Sequence, residues 1–332
     1  MTVSDQTTRL DGRVAIVTGA GGGLGRSHAL LLASLGAHVV VNDLGSSVSG
    51  DSSDSSRAGA VVREIVEAGG VAIADTSSVS TPADAASLVA HTVDRFGRLD
   101  IVVNNAGVLN DFPMDDFRFA AWQRVLDVHL GGTMFVTASA WPYLAERGGS
   151  IVSTTSATGL FGNDGQAAYG AAKAGIIGLT RCWAVEGASV GIRANAIAPL
   201  AVTRMTDRGD RERVTGVERT TASDVMGDIF RDLKAEHVSP LVAWLAHDDC
   251  ASNGQVYSVG GGRIARVEMI EARGWVDLGL DIESIRAHWD LVNDLSSPPP
   301  APRSLVEEFA LYSQALAPLR DVPTAAGHSA GS

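Results

Sequence analysis

The sequence predicts an α/β fold, with one doubly wound sheet of seven parallel strands, helices on both faces and a C-terminal helical extension. Two observations carry this. Short β-rich apolar runs alternate with longer helical stretches, the rhythm of strand–helix–strand units, whose strands pair in parallel. The first of those runs also feeds straight into a glycine cluster that opens a helix.

In chain order, residues 14–17 form the first strand, and residues 27–35 a helix that Gly36 stops. Further strands are expected at residues 39–41, 71–74, 101–103, 150–153, 192–197 and 256–259. The stretch 45–56 is rich in Ser, Gly and Asp and reads as a mobile loop. The densely charged stretch 203–222 reads as a flexible excursion. Beyond Gly262, residues 275–295 carry Ile282, Ile285, Trp289 and Val292 at near-helical spacing. Residues 296–302 form a proline-rich linker, and the tail past Leu316 is expected to be disordered. The expected organisation is therefore a domain over 1–262, an extension packed on it over 263–295, and a linker with a largely disordered tail over 296–332. No internal repeat is visible.

A formal net charge of -12 argues against a nucleic-acid partner, which needs a basic face, and against an anionic membrane surface. Cys182 and Cys250 are too few for a disulfide framework, and neither has a metal-ligand spacing. Both are expected to be buried small apolar residues, and no metal is expected. The chain opens polar, without an apolar signal core, and ends without a peroxisomal tripeptide. No apolar run approaches the ~20 residues that span a bilayer. These readings place the protein in the cytoplasm.

The glycine cluster is Thr18-Gly19-Ala20-Gly21-Gly22-Gly23-Leu24-Gly25. Glycines serve where the chain turns sharply and where backbone must approach a pyrophosphate, and the following helix presents its N-terminal N–H groups to the anion. Strand before and helix after supply the context such a loop requires for dinucleotide binding. The second strand ends at Asp43, the offset at which a carboxylate meets the adenosine ribose. A carboxylate there repels a 2′-phosphate, and no Arg or Lys sits among the glycines or directly after Asp43. NAD is favoured over NADP.

Tyr169 and Lys173 lie four residues apart, so a helix puts them on one face. The Lys cation favours the phenolate, letting Tyr169 exchange a proton near neutral pH. Ser156 stands thirteen residues upstream, just past a strand, where its hydroxyl can donate to a substrate oxygen. Taken singly, the pair is a weak signal, with a surface Tyr and a solvated Lys as the alternative.

Together these motifs resemble the short-chain dehydrogenase/reductase superfamily, a single Rossmann domain, over roughly residues 12–262. Residues 18–25 match its TGxxxGxG loop, and Asn104-Asn105-Ala106-Gly107 its NNAG segment. Ser156, Tyr169 and Lys173 are in register with its catalytic residues. Pro199 and Thr203 match its nicotinamide-carboxamide segment. The resemblance implies NAD contacts from Gly19, Gly23, Leu24, Gly25, Asp43, Asn105, Ala106, Gly107, Tyr169, Lys173, Pro199 and Thr203. Leu200 replaces the usual Gly after Pro199, and Ser77 an Asp near the adenine. His129 stands where many members have a catalytic Asn that holds a relay water; it holds that water too or is a packing residue.

Within the superfamily, Val41-Asn42-Asp43-Leu44-Gly45, Val128-His129-Leu130, Gly162-Asn163-Asp164-Gly165-Gln166 and residues 198–206 are similar to one subgroup. Its members are the (3R)-hydroxyacyl-CoA dehydrogenase units of peroxisomal multifunctional β-oxidation enzymes, also called 17β-hydroxysteroid dehydrogenase type four. Lacking hydratase and sterol-carrier domains, this chain looks like a freestanding bacterial-type version. The resemblance implies oxidation of a 3-hydroxyacyl-CoA or a hydroxysteroid, and a homodimer or homotetramer through residues 117–140 and 166–190. Arg204, Arg208, Arg211 and Arg213 are candidates for CoA phosphates; Leu160, Phe161, Met205 and residues from Trp275 on suit a steroid cleft. From another class, a non-catalytic NAD-binding redox sensor stands as the alternative.

Overall fold

The structure is a computed structural model that describes residues 8–45, 56–202 and 233–320. Most of the loop expected at 45–56, the excursion at 203–222 with Thr203 and its four arginines, and the last residues of the tail lie outside the described residues. The chain divides after Val267 into two compact units.

The first unit is built on one eight-stranded sheet. Its strands are β1 Val14–Thr18, β2 His38–Asn42, β3 Val71–Asp75, β4 Ile101–Asn104, β5 Gly149–Thr154, β6 Ile192–Pro199, β7 Val256–Gly260 and β8 Arg263–Val267. The spatial order is β3-β2-β1-β4-β5-β6-β7-β8. Pairing is parallel from β3 through β7, and the seven strands read from the sequence are all present. The eighth corrects the expected sheet: β8 folds back antiparallel on β7, Val259 opposite Ile264. Glycines at 261 and 262, both with positive φ, make that tight reversal possible.

The helices are α1 Gly23–Ser34, α2 Ser56–Glu67, α3 Pro82–Phe96, α4 Phe119–Leu126, α5 Gly132–Ala145, α6 Ala157–Phe161, α7 Ala167–Gly187 and α8 Ser239–Ala246. Local chemistry explains their ends. Thr81 caps α3 by accepting from the Asp84 N–H at 3.2 Å, Pro82 occupies the first turn, and Gly97 closes it with φ 74°.

A parallel sheet needs cover on both faces, and the β2 residues alternate accordingly. Val39 and Val41 face a core holding Leu32, Ile65 and Leu241, from α1, α2 and α8. Val40 faces the other, holding Leu88, Val136, Leu144 and Trp183, from α3, α5 and α7. The order reverses between β1 and β4, so their C-terminal ends open the crevice in which such sheets bind ligands.

Cys250 is buried, but Cys182 is exposed, which corrects that expectation. The reason is periodic: α7 buries Ile176, Ile177, Thr180, Trp183 and Ala184, and Cys182 falls on the opposite face.

The second unit holds α9 Ile282–Ala287, α10 Trp289–Val292 and α11 Leu305–Arg320. Asp281 and Ser284 form a capping box at α9, and Trp275 stacks on His288 with centroids 4.0 Å apart. Helix α11 follows the proline-rich linker and runs on past Leu316, the point from which the tail was expected to be disordered. Ser304 accepts from the Glu307 N–H at 3.3 Å, and Glu307 and Glu308 sit in the first turn, where the helix dipole favours carboxylates.

Candidate active site

Among the described residues, the glycine loop, Asp43, Asn105, Ser156 and Pro199 all lie at or just past the C-terminal ends of their strands. Thr18, the last residue of β1, accepts from the backbone N–H groups of Asn105 and Ala106, each at 3.0 Å. The Asn105 amide in turn donates to the carbonyls of Thr18, 3.0 Å, and Gly19, 3.2 Å. The glycine loop and the Asn104–Gly107 segment are thereby one rigid cradle across the switch point.

Close packing makes the glycines obligatory. A Cβ at Gly25 would lie 2.3 Å from the Gly19 carbonyl oxygen, and one at Gly19, where φ is 64°, would lie 2.8 Å from Ala106 Cα. Gly22 precedes α1 in extended conformation, with no side chain to cap the first turn. The N–H groups of Gly23, Leu24 and Gly25 therefore begin α1 as a ready anion site. Asp43, just past β2, folds its carboxylate against this loop. Oδ2 accepts from the Gly21 N–H at 2.7 Å and Oδ1 from the Gly45 N–H at 2.6 Å. Pro199 ends β6, and Leu200 continues its ladder by donating to the Val259 carbonyl at 2.8 Å.

Helix α7 brings Tyr169 and Lys173 to one face. Lys173 is buried at 3% exposure; its Nζ donates to the Thr154 carbonyl at 2.6 Å and lies 5.5 Å from the Tyr169 ring centroid. Burial lowers the Lys173 pKa to about 7. Ser156 caps α6, accepting from the Thr158 N–H at 3.2 Å. Gly159 lets α6 lie on α7, because a Cβ there would meet the Lys173 carbonyl carbon at 2.7 Å.

His129 lies in a single wider turn, Asp127–Gly131, between α4 and α5. Its ring is edge-on to Tyr169, centroids 5.2 Å apart, and packs against Gly107, where a Cβ would fall 2.2 Å from Cε1. Nε2 faces the Val108 carbonyl at 2.7 Å, and Nδ1 is buried without a hydrogen-bond partner. Burial first, and the Lys173 charge second, hold its pKa well below the ordinary imidazole value. His129 is thus neutral at physiological pH.

The model of the short chain dehydrogenase family matches residues 13–213. The chain belongs to the short-chain dehydrogenase family. It is an oxidoreductase of that family. A Mycobacterium tuberculosis protein named as of the short-chain dehydrogenase/reductase type is 43% identical over 287 residues, 86% of this chain and 95% of its own. The peroxisomal multifunctional enzyme type 2 of Drosophila melanogaster is 41% identical over 303 residues, 89% of this chain but 48% of that one. Its full-length structure aligns with TM-score 0.75 at 34% identity, over 94% of this chain and 50% of that one. This chain therefore spans about half of that enzyme. Carveol dehydrogenase of Mycobacterium avium, solved in complex with NAD, aligns with TM-score 0.67 at 29% identity, over 76% of this chain and 96% of that one.

The site also contains residues that sequence reasoning passed over. Asp111 and Gln166 are both 4% exposed, and Gln166 Nε2 donates to Asp111 Oδ2 at 2.8 Å just before the Tyr169 helix. Thr155 donates to the Lys173 carbonyl at 2.6 Å, fixing α7 on β5. Among the described residues no cluster of His, Cys, Asp or Glu could hold a metal, and no helix is long and apolar enough to cross a membrane.

Proposed function

We propose that this short-chain dehydrogenase oxidises a (3R)-3-hydroxyacyl-CoA to the 3-ketoacyl-CoA with NAD+, by proton transfer through Tyr169. The observation that carries the proposal is the buried Lys173 side chain, its Nζ 5.5 Å from the Tyr169 ring centroid. The preference for an acyl-CoA rests on likeness to the multifunctional enzymes.

NAD is the cofactor, and the glycine cradle fits it. The residues that would hold it are Gly19, Gly23, Leu24, Gly25, Asp43, Asn105, Ala106 and Gly107, with Lys173 and Pro199 toward the nicotinamide; when bound it takes up the substrate hydride. Asp43 retains free lone pairs on both oxygens beyond the loop N–H groups, and these suit ribose hydroxyls but not a phosphate.

Lys173 sits beside the Tyr169 ring. Burial alone makes the ammonium costly, and a phenolate beside it offsets that cost, so each charge favours the other. Tyr169 then takes the substrate hydroxyl proton. Ser156 uses one lone pair on the Thr158 N–H, which leaves its own hydroxyl proton to donate to the substrate oxygen. His129, neutral and packed under the Tyr169 ring, fixes that ring. A homodimer or homotetramer in the cytoplasm completes this reading, supported by the base rate of symmetric assemblies.

The test is NADH formation from a (3R)-3-hydroxyacyl-CoA and from a 17β-hydroxysteroid, under NAD+ and NADP+. The CoA ester with NAD+ should react. Y169F should bind NAD+ normally and lose turnover by about 10³-fold, the scale of a removed proton-transfer group. Reaction of the steroid alone would overturn the substrate, and retained turnover in Y169F the role of Tyr169. Tight NADH binding with no turnover of any alcohol would favour a redox sensor.

A further inference from the structure

The stretch Gly162-Asn163-Asp164-Gly165-Gln166 has no role in the reaction above, yet it ends in a buried junction. Gln166 precedes α7 by one residue and is 4% exposed. Its Nε2 donates to Asp111 Oδ2 at 2.8 Å. Its Oε1 accepts from the Thr158 hydroxyl at 3.1 Å and from Asn163 Nδ2 at 2.8 Å. One amide thus joins the loop after Gly107, the start of the Ser156 helix, the 162–165 turn and the start of the Tyr169 helix. A backbone bond runs parallel to it, Phe112 N–H to the Gly165 carbonyl at 3.0 Å.

The polarity of this junction is fixed. Gln166 Nε2 donates to the Asp111 carboxyl, which turns the amide oxygen toward its two donors, Thr158 and Asn163. Thr158 then has its hydroxyl committed to Gln166, while its N–H donates to Ser156 Oγ. The position of Ser156 Oγ relative to Tyr169 is therefore carried through Thr158 and Gln166 to Asp111.

We propose that Gln166, oriented by Asp111, is a positioning residue that sets the Ser156 hydroxyl against Tyr169 for proton transfer. This rests on the catalytic reading above. A neutral amide is required because the pair is buried: a carboxylate at 166 would face that of Asp111, and two like charges at that spacing share a proton rather than both ionise.

The experiment exchanges the chemistry of the pair. Wild type, Q166E and D111N/Q166E are compared for Tm, NAD+ affinity and kcat from acid to alkaline pH, with the two substrates already named. In Q166E, kcat relative to wild type should fall about a hundredfold at alkaline pH, the scale of an ångström of misplacement. That ratio should recover as pH falls and one proton bridges the carboxylates, with NAD+ affinity unchanged. In D111N/Q166E the three bonds of Gln166 are kept, the first with reversed polarity: the introduced amide donates to the introduced carboxylate, which still accepts from Thr158 and Asn163. Its ratio should return to within about threefold of wild type and be flat with pH.

A Q166E ratio that does not change with pH, or a double variant no better than Q166E, overturns the proposal. If Q166E does not fold, the double variant decides, since folding with turnover supports the exchange and failure in either overturns it. Retained turnover in Y169F would instead sink the underlying catalytic reading, whatever the exchange shows.

Discussion

Acid should weaken this fold through one residue far from the chemistry. His28 of α1 is fully buried, with Nδ1 2.8 Å from the Ser239 hydroxyl of α8 and Nε2 without a hydrogen-bond partner. Burial lowers its pKa from 6.5 to about 3. Above pH 6.5 the imidazole is neutral in both folded and unfolded chains and contributes no pH dependence. As pH falls from 6.5 toward 3, the unfolded chain takes up a proton that the folded one refuses, so stability falls by about 1.4 kcal/mol per pH unit. Integrated from pH 8 to pH 4, the loss is about 3 kcal/mol, a large part of a typical stability of about 5–15 kcal/mol. The assay is urea unfolding of wild type and H28N across that range. Asparagine keeps a polar group toward Ser239 and cannot titrate. The stability of H28N relative to wild type should therefore rise by about 3 kcal/mol on going from pH 8 to pH 4, whatever its value at pH 8. His129, also buried and neutral, is common to both proteins and cancels. Curves that stay parallel across this range would refute the reasoning.

Two further outcomes concern the nucleotide cradle. G25A places a Cβ 2.3 Å from the Gly19 carbonyl, with no flexible side chain to yield, so the loop must shift. Strain of about 1–3 kcal/mol should appear as a rise of about 5- to 150-fold in NADH Kd by fluorescence titration, whereas an unchanged Kd would mean the loop does not bind the dinucleotide. D43S removes the carboxylate that faces the loop and keeps a hydroxyl for the Gly21 N–H. The ratio of kcat/KM for NADP+ to that for NAD+ should rise by about tenfold, about 1.4 kcal/mol of relieved repulsion, and no rise would remove Asp43 from cofactor selection.

Much of this was legible because the signals are local. Each strand is a short apolar run, and the glycine cluster stands between one such run and a helix. The face of α7 was also legible in principle: the spacing of Ile176, Ile177, Thr180, Trp183 and Ala184 already sends Cys182 outward. Strand β8 was missed because Arg263, Ala265 and Val267 alternate with Ile264 and Arg266 without a clean apolar face, so only the glycine turn before it announces pairing. Helix α11 was hidden by the prolines that precede it. The Asp111–Gln166 pair could not be read at all, because a hydrogen bond across 55 positions leaves no periodicity behind it.

His129 marks the boundary between what residue type and what geometry can decide. By resemblance His129 either holds a relay water or packs, and an ordinary imidazole would also titrate near neutrality. Here burial and the neighbouring Lys173 charge oppose protonation, so the ring does not cycle through the imidazolium near pH 7. Nε2 is engaged with the backbone of Val108, the Gly107 backbone packs on Cε1 and Nδ1, and Tyr169 stands across the ring edge. A smaller side chain would leave the Tyr169 ring unsupported on that side, and any side chain at 107 would displace the imidazole. Gly107 and His129 are therefore a matched pair, one lacking a side chain because the other fills the space, and that space is what holds the phenol beside Lys173.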